Sequence, residues 1–284
     1  MSEHTPVLVI GATGHVGGQV ATQLRAGGRP VRALVRDPAS ATLPPGVTPV
    51  RGDLSTPESL DAAATGVEAA FLMWPLPDAG PATGVLAALA RHVRRLVFLS
   101  SAAVQPENAE GLGRIGELHA GVEQAIRRSG LEWTFLRPYG FATNLLNWAP
   151  YVREGAVPGV HGAATMTLIH ERDIAAVAVA ALTRSGHAGA AYELTGPEQL
   201  TQVEQARIIG EVIGRPVRWE EVSPDTARKG LLRWLPDSFA EVYLEGLART
   251  RTELLPVTDT VERVTGVPAR TFREWVADHA DDFR

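Results

Sequence analysis

Residues Val7 to Gly17 read VLVIGATGHVG, and this stretch limits the possible fold more than any other part of the chain. Val7, Leu8, Val9 and Ile10 are too few for a helix and rich in β-branched side chains, so they predict a strand buried on both faces, as in a parallel sheet. Gly11, Gly14 and Gly17 then interrupt the run. Gly11 permits a tight bend, Gly14 removes a side chain where a phosphate has to approach, and Gly17 lets the next helix, Val16 to Ala26, pack close to the strand. The free N–H groups and the dipole of that helix face an anion. Thr13, His15 and Val16 complete the candidate loop. A glycine turn without a ligand is the plain alternative. The loop follows one strand, opens a helix and precedes a second strand at Val31 to Val35, and this context points to a dinucleotide.

Strand and helix patterns keep alternating through the first half. Strands are expected at Val47 to Arg51, Ala69 to Met73, Arg95 to Ser100 and Trp133 to Leu136, with helices at Pro57 to Ala64, Pro81 to His92 and Gly116 to Ser129. Helical connections of this length require parallel pairing with right-handed crossovers, so the fold class is α/β, a doubly wound parallel sheet of the Rossmann type. Residues 1–138 are expected to form the nucleotide-binding domain. Residues 139–284 are expected to form a smaller, mixed α/β substrate-covering part, interleaved with the first as one folding unit, with Tyr192 to Leu194 and Val217 to Glu220 as its strands. Ligands of doubly wound sheets sit at the carboxyl ends of the strands, which directs attention to the loop at Gly11 to Gly17, Arg36, Asp53, Trp74, Ser101 and Pro138.

Composition narrows the partners. A formal charge of -5 argues against nucleic acid as the main partner, and the absence of cysteine excludes disulfides, thiolate nucleophiles and cysteine-based metal sites. No basic leader precedes the apolar run and no run reaches the length of a membrane span, so a cytoplasmic protein without membrane contact is expected. A homodimer is compatible with the sequence.

These residues resemble the atypical short-chain dehydrogenase/reductase superfamily, specifically its NmrA-like branch, which has quinone-reductase-like and ergot-alkaloid-reductase-like members. The resemblance rests on GATGHVG at Gly11 to Gly17, VRALVRD at Val31 to Asp37, GDL at Gly52 to Leu54, VFLSSAAV at Val97 to Val104 and SGLEWTFLRPYGFATN at Ser129 to Asn144. It implies an NAD(P)-binding fold and is shared by reductases and redox-sensing regulators.

At the end of the second strand, NAD favours an acidic residue and a 2'-phosphate needs cations. Arg36 stands there, which favours NADP(H) over NAD(H), although Asp37 either caps the next turn or serves the ribose. Asp53 and Leu54 resemble the family's adenine-contacting pair, with an Asx turn as the alternative for Asp53.

The family's full pattern has a Ser after the fifth strand and a Tyr-x-x-x-Lys on the next helix. Ser101 matches the serine, or simply ends the strand; His119 falls on the lysine position and Ile115 on the tyrosine position. Ile cannot transfer a proton, so a Tyr-centred mechanism is absent unless Tyr139 supplies the group. His119 either serves the nicotinamide ribose and proton transfer or pairs with Glu123 on the helix surface. Trp74, Tyr139, Phe141 and Trp148 are candidates to stack on a flat conjugated substrate, with core the favoured reading for Phe141 and Trp148. Asn144 orients a polar group or caps a turn. Asp173 reads as a helix N-cap, and His170 beside it is a candidate substrate contact. Neither His119 nor the later His161, His170 and His187 has metal-ligand spacing, so no metal is expected.

The expected activity is NADPH-dependent hydride transfer to a small conjugated acceptor such as a quinone, iminium or enone. The alternatives are a non-catalytic NADP(H) sensor that binds a protein partner, and a cyclase or isomerase with retained cofactor.

Overall fold

The structure, a computed structural model, describes residues 5–104, 113–233 and 237–284. The elements begin β1 (Val7–Ile10), α1 (His15–Ala26), β2 (Val31–Val35), β3 (Thr48–Arg51), α2 (Leu60–Ala64), β4 (Ala69–Met73) and α3 (Ala82–Leu89). Next come β5 (Arg95–Leu99), α4 (Gly113–Arg128), β6 (Glu132–Pro138), β7 (Gly140–Phe141), a 3-10 helix at Ala142–Trp148, α5 (Ala149–Glu154) and β8 (Ala156–Gly159). They continue with β9 (Thr165–Met166), β10 (Leu168–Ile169), α6 (Glu171–Thr183), β11 (Ala190–Leu194), β12 (Leu200–Thr201), α7 (Gln202–Ile213) and β13 (Arg218–Glu221). The last helices are α8 (Pro224–Leu231), α9 (Asp237–Arg249), α10 (Thr260–Thr265), α11 (Phe272–Asp278) and α12 (Ala280–Phe283).

The chain divides into two compact units. The first runs to Pro138 and also takes in Glu171–Leu194 and Arg263–Gly266; the second comprises Tyr139–His170, Thr195–Glu262 and Val267–Arg284. The first unit is built on a seven-stranded parallel sheet in the order β11-β6-β5-β4-β1-β2-β3. Its central strands are buried on both faces, as the unbroken apolar runs require. Leu8, Ile10, Leu72, Leu96, Phe98 and Phe135 face a core that includes side chains from α2, α3 and α4. On α1, Val16, Val20, Ala21 and Leu24 are buried; this helix packs with α6, and Gln23 Nε2 donates to the Arg172 carbonyl at 2.9 Å.

Sequence patterning placed the strand at Tyr192 to Leu194 in the second part. The structure pairs that segment, as β11, in parallel with β6 at the edge of the main sheet. Asp173 differs as well. It lies inside the first turn of α6, which begins at Glu171, where its buried carboxylate still meets the positive end of the helix dipole.

The second unit has short pairings: β7 with β10 and β8 with β13 in parallel, and β9 with β12 antiparallel. Its core gathers Leu145, Val152, Val157, Ile209, Trp275 and Phe283. α7 and α11 each open on a capping box, Thr201 with Glu204 and Thr271 with Glu274.

Candidate cofactor site and active site

The strand order reverses at β1, whose neighbours are β2 and β4. Such a switch point leaves a crevice outside the carboxyl ends of the strands, and the glycine loop lies there. Each glycine has a separate physical reason. Gly11 takes φ +93°, a left-handed conformation that L side chains rarely adopt. A Cβ on Gly17 would collide with the Gly11 carbonyl oxygen and stand 2.5 Å from the Gly11 carbonyl carbon, so α1 packs against the turn only because that atom is missing. Gly14 is different. A Cβ there would meet nothing nearer than the Gly11 oxygen at 3.5 Å, and its φ of -95° and ψ of 172° suit any residue. The protein's own packing therefore gives no reason for a glycine at position 14. It is the exposed N-cap of α1, which has no capping side chain, and Thr13 and His15 beside it are exposed too. An anion approaching the helix N-terminus would need that open space, so the loop fits a dinucleotide pyrophosphate. Val16 and Gly17 are buried beneath it.

At the ends of β2 and β3 the structure resolves what Asp37 does. Its carboxylate accepts the Ala39 N–H at 3.1 Å, and hydrogen bonding from Ser40 and Ala39, helped by the Arg51 charge, holds its pKa below the usual carboxylate value. It caps its own turn. Arg36 is exposed, and its charge is felt by Asp53. Asp53 forms an Asx turn, accepting the Ser55 N–H and hydroxyl at 2.8 Å each, and these bonds lower its pKa. Leu54 is 4% exposed in the main core, so its side chain faces inward.

Arg51 escaped sequence reasoning. It is the cross-strand partner of Val35 at the end of β3 and is exposed, which brings a second guanidinium to the strand ends near Arg36. Parallel register was the missing signal, since Arg36 and Arg51 are remote in sequence.

Trp74 also differs from expectation. Its indole lies in the main core, 6% exposed, with Nε1 donating to the Asp78 carbonyl at 3.0 Å. Once the Asp78 carbonyl satisfies its N–H, the large apolar ring is better inside than open to water.

Ser101 is half-buried after β5, and its Oγ accepts the Ala103 N–H at 3.1 Å, leaving a hydroxyl proton to donate. Ile115 and His119 are both on α4, and His119 Nδ1 lies 2.8 Å from the Ile115 carbonyl oxygen. A carbonyl only accepts, so Nδ1 carries the proton. Burial pushes the His119 pKa down despite the opposing effects of that carbonyl and of Glu123, so the ring is neutral and Nε2 is an acceptor. Its face stacks on Phe98, centroids 6.0 Å apart. Glu123 is not its surface partner, because that carboxylate points into the interior.

In the second unit, Tyr139 directly follows β6 and is half-buried, as is Phe141 at the end of β7. Asn144 is exposed within the 3-10 helix, beyond its N-cap Phe141. Trp148 packs on Trp219, 5.7 Å between centroids. His170 is 1% exposed, with Nε2 3.1 Å from Asp278 Oδ2, and its ring neighbours His279. That leaves it an internal role. Among the described residues, no group of three or more His, Cys, Asp or Glu side chains is placed to hold a metal ion, and no helix is long and apolar enough to cross a membrane.

A doubly wound sheet with a glycine loop at its switch point defines a dinucleotide-binding α/β enzyme. The chain belongs to the NAD(P)H-binding family, whose model matches residues 11–185, and it is an oxidoreductase of the atypical short-chain dehydrogenase/reductase, NmrA-like type. It is 44% identical to a (4-alkanoyl-5-oxo-2,5-dihydrofuran-3-yl)methyl phosphate reductase of Streptomyces griseus, over 98% of this chain and 99% of the relative. It is 38% identical to an NAD(P)H azoreductase of Xenophilus azovorans, over 98% of this chain and 99% of that protein. The crystal structure of an NADPH-dependent quinone oxidoreductase from Escherichia coli superposes with a TM-score of 0.79 at 26% identity, covering 96% of this chain and 99% of that one.

Proposed function

We propose that this protein reduces small acceptors whose reacting atom is already activated by conjugation, using NADPH in preference to NADH. The observation that carries the reading is the state of His119. With Nδ1 committed to the Ile115 carbonyl and the ring neutral, the position is an acceptor and not an acid. Ile115 offers no proton either. A simple ketone needs an acid as its oxygen gains charge, whereas a quinone, an azo group or an unsaturated carbonyl spreads that charge over its own π-system. The substrates named for the relatives share this character: an oxo-dihydrofuran with an acyl substituent, azo compounds and quinones.

When bound, NADPH supplies the hydride. The loop at Gly11 to Gly17 holds the pyrophosphate, and Arg36 with Arg51 receives the 2'-phosphate. His119 Nε2 accepts from a ribose hydroxyl, and Ser101 donates to the atom of the acceptor that gains charge, a carbonyl oxygen or an azo nitrogen. In the second unit, Tyr139, Phe141 and Asn144 keep the substrate roles given to them from the sequence. Trp74, Leu54 and His170 leave the proposal because their side chains are internal.

The test follows NADPH oxidation at the nicotinamide absorbance with a quinone, an azo dye, an acyl-substituted unsaturated lactone and an unactivated ketone. Turnover of one or more conjugated acceptors without turnover of the ketone is expected. Equal rates on the ketone, or no oxidation of NADPH by any of them, would overturn the reading.

A further inference from the structure

The sequence reading gave no interior role to Ser100, Glu123 or Arg137, yet the three meet inside the first unit. Glu123 on α4 is fully buried. Its Oε1 accepts from Ser100 Oγ at 2.7 Å and from Arg137 Nε at 2.9 Å, and its Oε2 accepts from Arg137 Nη2 at 2.7 Å and Arg127 Nη2 at 2.9 Å. The lone-pair sites of the carboxylate are thereby filled. Ser100 directly follows β5, and Arg137 belongs to β6. The two strand ends are joined by the Ser100 N–H to the Leu136 carbonyl at 2.7 Å and by the Ala102 N–H to the Pro138 carbonyl at 3.1 Å. One carboxylate thus pins α4 to both ends. A buried ion pair adds little stability over well-packed apolar side chains, but a planar guanidinium fork fixes direction.

We infer that Glu123 and Arg137 are positioning residues, which set the rotation of α4 against β5 and so aim the His119 ring. His119 sits one helical turn before Glu123 and is held between its own Ile115 carbonyl and Phe98 of β5, so a small rotation of α4 moves Nε2. The inference rests on the reading of His119 as an acceptor at the nicotinamide ribose. The charged groups around it are Glu123 on its own helix and, on that carboxylate, Arg127 and Arg137.

Arg137→Lys keeps every charge and loses the fork. Two measurements separate the possibilities: the NADPH dissociation constant of wild type, Arg137→Lys, His119→Ala and the double variant, and the proton NMR titration of the His119 ring in the cofactor-free protein. The expected result is NADPH binding weakened about tenfold by Arg137→Lys, a coupling within the usual range for interacting residues. The His119 titration should shift, and the double variant should bind no worse than His119→Ala alone. Additive losses, or a His119 titration unchanged by Arg137→Lys, would overturn the inference. If His119→Ala binds and turns over like wild type, the ribose role fails, while the titration still reports whether Arg137 positions the ring. Should circular dichroism show that Arg137→Lys does not fold, Ser100→Ala takes its place in the same cycle. It removes one hydrogen bond and leaves the charges paired, and the same results support or overturn the inference.

Discussion

Gly14→Ala and Gly17→Ala distinguish a glycine needed by the ligand from one needed by the fold. At position 17 the new methyl carbon would stand 2.5 Å from the Gly11 carbonyl carbon and 3.0 Å from Ala12 N. Carbon atoms in contact are about 3.5 Å apart, so α1 and the turn must separate by about 1 Å, backbone against backbone. Overpacking of this kind costs roughly 1–3 kcal/mol, a fall in Tm of about 2–10 °C for a chain of this size. At position 14 the methyl meets only the Gly11 oxygen at 3.5 Å and the backbone is in an unstrained region. Stability should change by less than about 1 kcal/mol, the usual scale for an N-cap without a side-chain bond. NADPH binding should nevertheless fall, because a methyl there keeps the pyrophosphate from the helix N–H groups. Losing one charge-assisted hydrogen bond, about 1.5–3 kcal/mol, weakens Kd roughly 10- to 100-fold. Thermal melts and calorimetric titration with NADPH measure both quantities. A Gly14→Ala protein that binds NADPH like wild type, or a Gly17→Ala protein as stable as wild type, would refute this division of roles.

Two further outcomes are expected. Arg36→Ala and Arg51→Ala should each weaken NADPH binding about tenfold or more while leaving NADH within about threefold, since a charged hydrogen bond to phosphate contributes about 1.5–3 kcal/mol; parallel fluorescence titrations with both cofactors decide it, and equal losses would remove the 2'-phosphate from these residues. For His119 the folded pKa lies below the ordinary value of 6.5 because burial disfavours the charged ring. The unfolded chain then binds the extra proton first, so stability falls as pH drops through about 6.5 towards the lower folded value and is unaffected above it. Urea denaturation at stepped pH should show a shallower slope in this window for His119→Gln, and an identical slope would count against a neutral buried ring.

Much of the first unit was legible because its signals are local. A run such as Val7 to Ile10 followed by glycines specifies a buried strand and its turn without reference to distant residues. Arg36 was legible for the same reason, standing at the end of a recognisable strand. The failures are tertiary. Glu123 reads as a surface charge because charge implies exposure until a partner is known, and its partner Arg137 is on another element. Arg51 needed the register of β2 with β3, and Trp74 needed the Asp78 carbonyl that satisfies its N–H. In the second unit, β7, β9, β10 and β12 are two residues each, too short for any periodicity to register.

The position of β11 affects how the chain is made. The sheet of the first unit ends in a strand at Ala190–Leu194, and α6, which packs with α1, precedes it by only a few residues. During synthesis the six strands up to Pro138 therefore emerge with one edge of β6 unpaired and one flank of α1 bare. An open edge and an uncovered apolar helix face are the surfaces through which nascent chains stick to one another. Completion of the seven-stranded sheet waits for Leu194, after the second-unit segment Tyr139–His170 has been made. A gene fragment cut at Pro138 would reproduce this incomplete state permanently, so fragments meant to isolate the cofactor site must carry the chain through β11.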